Sequence, residues 1–190
     1  DLMLWAHENP SVIMFVWSSL IYIEPTIYLA AAYLLYVFTV ERDISFKTKF
    51  LMFLTMLPPI VLGPTHYNLT AFDYTNCDRE AVEGPLWYYL YFLEVSITLW
   101  MVVFGLHTAM NKSLSTSKRT QVGLLTVGLT FFFLAFSWGN IVGSLSADWS
   151  VAQYGLFGMP VFLGAIIYLI VRFQTFRIRV LGVTALVGTL

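Results

Sequence analysis

The chain has 190 residues, of which 58% are hydrophobic and 11% charged, with a formal net charge of −1 and a mean hydropathy of +0.75. A water-facing domain carries about 25% charged residues, so this composition excludes a soluble domain, and 16 Phe, 11 Tyr and 6 Trp exclude a disordered chain. Ten Lys and Arg divided among short loops make no basic face for nucleic acid, and a single cysteine, Cys77, excludes an intrachain disulfide framework and a cysteine-based zinc site.

What remains is an integral membrane protein whose principal partner is the lipid bilayer. The expected fold is all-α, a polytopic helix bundle forming one domain over residues 1–190. A hydrocarbon core of ~30 Å takes about 20 mostly apolar helical residues. Five stretches qualify as spans: 12–38, 50–67, 86–110, 121–145 and 154–173. A partial sixth, 180–190, is only 11 residues long. Because Asp1 is not an initiator methionine and the last run is cut short, the chain is expected to be a piece of something longer. No basic leader with a small-residue cleavage site opens it.

In the second span, Pro58, Pro59 and Pro64 predict a kink. In the fourth, Gly139 and Gly143 form a GxxxG, expected to pack helices within one subunit. Trp5, Trp17, Trp87, Tyr88, Tyr89, Trp149 and Tyr154 lie near span ends, where aromatic rings anchor at headgroup level.

The charges orient the spans. Arg42, Lys47 and Lys49 follow the first; Lys112, Lys118 and Arg119 follow the third; Arg172, Arg177 and Arg179 follow the fifth. The positive-inside rule places loops 40–49, 111–120 and 172–179 in the cytoplasm, and the N-terminus with loops 68–85 and 146–153 outside. The outer side carries Asp1, Glu8, Asp73, Asp78, Glu80, Glu83 and Asp148, with Arg79 as its one basic residue.

Two carboxylates fall inside spans, Glu24 and Glu94. An ionisable group at that position costs about 2.5–3.5 kcal/mol on insertion scales and marks a functional site by default. Counting inward at 1.5 Å per residue puts Glu24 roughly 18 Å and Glu94 roughly 13 Å deep, where the two can meet. Pro25 frees a backbone carbonyl one turn earlier, and Asn140 and Thr98 are the polar neighbours expected to join the pair. The alternative is a structural pair of carboxyls holding the bundle together. With no basic partner in the spans, at least one of the two is expected to be neutral at pH 7.

In the outer loop, His66, Cys77, Asp78 and Arg79 are further candidates for binding. No H-x₃-H or HExxH spacing supports a metal, and Cys77 has no partner cysteine. Asn68-Leu69-Thr70 and Asn111-Lys112-Ser113 match the glycosylation pattern, the second on the cytoplasmic side. No P-loop, GxGxxG, GxSxG or kinase signature is present. No catalytic residue and no cofactor are therefore assigned, and the chain is not expected to be an enzyme.

Three stretches carry a family resemblance: Tyr22-Ile23-Glu24-Pro25-Thr26-Ile27-Tyr28; the loop 75–80 with Glu83-Gly84-Pro85-Leu86; and above all Gln153-Tyr154-Gly155-Leu156-Phe157-Gly158-Met159-Pro160, followed by residues 168–178. Together they resemble the N-terminal multi-span sensor region of bacterial membrane histidine kinases. The resemblance implies a sensory input module of a two-component receptor in a bacterial plasma membrane. It also implies a homodimer or larger membrane assembly, and a cytoplasmic kinase region that these residues do not contain. It supplies no ligand. The competing expectations are a structural or accessory membrane subunit and, behind it, a proton- or cation-coupled transporter.

Overall fold

A computed structural model describes residues 9–72, 81–146, 154–155 and 157–173. Three helices among them are long and apolar enough to cross a membrane: Pro10–Val40, Leu86–Met110 and Thr116–Leu145. Helix α1, Pro10–Val40, starts with Asn9 accepting from the Ser11 amide and Pro10 in its first turn, and ends with Glu41 at φ 59°. It turns one stripe inward at helical spacing, through Ile13, Trp17, Ile21, Glu24, Tyr28, Ala31 and Leu35. Glu24 thus sits in the middle of the buried face.

The second predicted span is not one helix. Helix α2, Phe46–Thr55, stops before α3, Leu57–Leu62, and a turn follows. Pro58 and Pro59 have no N–H to give to the carbonyls of Leu54 and Thr55, so the α2 ladder cannot continue. The 68–85 loop adds strand content that the all-α expectation lacked. Strands β1, Leu69–Phe72, and β2, Ala81–Glu83, pair antiparallel with an irregularity between Leu69 and Ala71.

Asn68 locks this hairpin to the bundle. Its Nδ2 donates to the carbonyls of Ser18 and Gly63, and its Oδ1 accepts from Trp87 Nε1 at 3.0 Å. Buried and fully engaged, it is closed to the glycan that its sequence pattern allows. Trp17 and Trp87 are likewise buried, not headgroup anchors, whereas Tyr88 and Tyr154 are exposed.

Helix α4, Leu86–Met110, matches the third predicted span, and its buried stripe runs Trp87, Leu90, Glu94, Thr98, Met101, Gly105. Helix α5, Thr116–Ser137, passes into a π-helical segment, Trp138–Val142, and then α6, Gly143–Ser146. Helix α7, Gly158–Phe173, is 16 residues long, shorter than the expected fifth span. The partial sixth span, 180–190, lies outside the described residues.

The main core joins Tyr28, Ala31, Ala32 and Leu35 of α1 to Met101 of α4, Leu125, Leu129 and Phe133 of α5, and Leu169 of α7. Small residues set the closest approaches. A Cβ on Gly105 would strike the Thr126 side chain, and one on Gly158 would strike Ala135. Gly139 backs onto Gly155, so the GxxxG region packs within the chain. At the opposite end from the hairpin, Lys118 Nζ donates to the Phe38 carbonyl and pairs with Glu41 at 2.6 Å, while Arg119 Nε donates to the Ala109 carbonyl. Adjacent residues in the first turn of α5 thereby cap the last turns of α1 and α4.

Candidate functional site

Glu24 and Glu94 come from the inward stripes of α1 and α4 and lie side by side in the bundle, 4% and 0% exposed. Asn140 completes the meeting: its Nδ2 donates to Glu24 Oε2 at 3.0 Å. The π segment positions it. An i→i+5 turn shifts the helix face relative to α5 and carries Asn140 toward α1, with Gly139 buried beside it. The geometry thus brings Glu24, Glu94 and Asn140 together. Thr98, one turn below Glu94, is buried on the same face.

The node is incompletely satisfied. Both carboxyl oxygens of Glu94 are buried without a hydrogen-bond partner, as is Thr98 Oγ1. Tyr28, Glu24 and Ser137 all come within hydrogen-bonding reach of Glu94, while the Tyr28 Oη and Ser137 Oγ hydroxyls bond each other at 2.6 Å. Pro25, buried in α1 and lacking an N–H, leaves the Ile21 carbonyl without its usual helical donor near the same level.

A third carboxylate stands above the pair. Glu83, the last residue of β2, accepts through Oε2 from Tyr91 of α4 and from Ser144 of α6, both at 2.6 Å. It lies within electrostatic reach of both Glu24 and Glu94. Burial holds its carboxyl above the usual carboxylate range, against the opposing pull of its two hydroxyl donors.

Sequence reasoning placed Glu83 among the outer-loop acids and Glu83 and Tyr28 in resemblance motifs, but assigned neither of them, nor Tyr91, Ser137 or Ser144, to the site. The available signal was spacing. Tyr28 follows Glu24 by four residues, Tyr91 precedes Glu94 by three, and Ser137 and Ser144 flank Asn140 at minus three and plus four, so each shares a helix face with a named polar residue.

The remaining candidates do not join this site. His66 is exposed and stacks on Tyr67 with ring centroids 4.5 Å apart. Cys77, Asp78 and Arg79 lie outside the described residues. Among the described residues, no group of three or more His, Cys, Asp or Glu side chains is arranged to hold a metal ion. Comparison with known proteins finds no matching family model, no similar curated protein and no similar solved structure. The likeness to histidine-kinase sensor regions accordingly rests on the sequence motifs alone.

Proposed function

We propose that this chain is the transmembrane sensory module of a histidine-kinase-like receptor, with the Glu24–Glu94–Asn140 node, flanked by Thr98, as its input site. The observation that carries the reading is a buried carboxyl, Glu94, left without a hydrogen bond where three helices meet. A group held that way is expensive to keep for structure alone, and an event that completes it changes the relative stability of helix arrangements. The π segment is the element such an event would move, since it holds Asn140 against Glu24 and continues into α5.

At the far end, Lys118 and Arg119 tie α5 to the C-terminal turns of α1 and α4, so a shift of α5 reaches the basic end of the bundle. In this reading the hairpin end faces outward, the basic end is cytoplasmic in a bacterial plasma membrane, and the output belongs to a dimer. The size of the response is limited to the signal's differential affinity for the two arrangements.

The test uses the full polypeptide that carries these residues, in lipid, with phosphotransfer as the output. Glu24→Gln and Glu94→Gln are each expected to change that output by about fivefold or more. If both variants insert and fold but signal as wild type does, the reading fails and an accessory-subunit role takes its place.

A further inference from the structure

The sensory reading leaves open what completes the node. We propose that the ligand is a proton, shared between Glu24 and Glu94 and delivered from the hairpin end through Glu83.

Charge comes first. The groups facing Glu24 are Glu94, Glu83, Tyr28, Tyr91 and Asn140, and those facing Glu94 are Tyr28, Glu24, Ser137 and Glu83. None is Lys, Arg or His. Two ionised carboxylates side by side at low dielectric repel strongly, so the pair needs positive charge from elsewhere. A divalent metal asks for six or more oxygens or a fixed octahedron, and no metal-holding group of side chains is present among the described residues. A proton needs only two acceptor oxygens. Glu94 offers two without partners, while Asn140 holds Glu24 in place from one side.

The route follows from Glu83. It is half-buried at the mouth of the bundle, within electrostatic reach of the pair, and held by hydroxyls of two different helices. Its raised proton affinity suits a group that takes up a proton nearer neutrality than a free carboxylate does. In the transfer, which a bridging water must carry because no hydrogen bond joins Glu83 to the pair, Glu83–COOH and Glu24–COO⁻ become Glu83–COO⁻ and Glu24–COOH. The latter then shares its proton with the Glu94 carboxylate, and Glu83 is reprotonated by water at the hairpin end. This names the signal for the sensory reading and rests on that reading only for its consequence.

The full polypeptide in lipid nanodiscs, taken from about pH 8 to about pH 5, would be followed by infrared difference spectroscopy. Beside the C=O band of Glu83 itself, which Glu83→Gln removes, a second protonated-carboxyl band is expected to appear on acidification and to vanish in Glu24→Gln and in Glu94→Gln. In Glu83→Gln this second band should remain, but its rise after rapid acidification should slow by about 100-fold or more. If Glu94→Gln does not fold, Glu94→Asp serves instead and should shift the band and its midpoint.

A second band absent from the wild type, or indifferent to both Glu24 and Glu94 variants, overturns the proton site. Wild-type kinetics in Glu83→Gln overturn the route. Loss of the band on adding Na⁺ at constant pH makes the ligand a metal cation and also overturns the proposal. The phosphotransfer assay separates this from the sensory reading. A titrating band with unchanged output sinks only the sensory role, and altered output without a titrating carboxyl sinks only the proton.

Discussion

Glu83 illustrates how one side chain couples a loop to a bundle. It ends a three-residue strand, yet its Oε2 is gripped by hydroxyls from α4 and α6. Because burial raises its carboxyl above the ordinary 4.5, the folded state binds more protons than the unfolded state between 4.5 and the raised value. Stability contributed by this group is complete below 4.5 and is lost as pH rises through that window. Thermal unfolding in mild detergent should therefore fall with increasing pH across it, and Glu83→Gln should flatten that slope. A slope unchanged in the variant would assign the dependence to another group. Glu24 and Glu94 were legible in the sequence because a carboxyl within an apolar helix stands out. Glu83 was not, because it sits among loop acids and its partners are neutral hydroxyls without a charge signature.

At the scale of elements, close approach sets the packing of α4 on α5. Gly105 faces Thr126, whose hydroxyl is bonded back to the Val122 carbonyl at 2.7 Å. Gly105→Ala should destabilise the bundle by about 1–3 kcal/mol through overpacking. Adding Thr126→Ala should recover most of that loss, a non-additivity readable in a double-mutant cycle of detergent melts. Additive effects would mean that the two residues do not meet. The long helices α1 and α4 were legible from apolar length. The break between α2 and α3 was visible only as a kink, although two adjacent prolines remove two successive donors. The π segment was invisible, since nothing in Trp138-Gly139-Asn140-Ile141-Val142 distinguishes i→i+5 from i→i+4 bonding before α1 and α4 are packed against it.

For the whole molecule, the proposed topology puts the β hairpin and the loop between α4 and α5 on opposite sides of the membrane. In a Cys77→Ser background, Thr70→Cys and Ser113→Cys, both exposed positions, should react with an impermeant maleimide from opposite faces of sealed vesicles. Labelling of both from one face would reverse the reading of the charge pattern. The exposed apolar side chains agree with a lipid surround: Phe15, Phe92, Val103 and Leu163 point away from the cores of the helices that carry them.

Composition and hydropathy by themselves determined that the chain forms apolar helices long enough to cross a membrane, because the transfer cost of apolar surface depends on residue type and run length and not on partners. They also determined that Glu24 and Glu94 are exceptional, since the cost of a buried carboxyl is likewise local. The tertiary structure alone decided which polar groups meet. That Asn140 reaches Glu24, that Glu83 overlooks the pair, and that Glu94 is left unpartnered depend on the relative rotation of α1, α4 and the π segment. Packing sets that rotation through glycine contacts and caps far from the site.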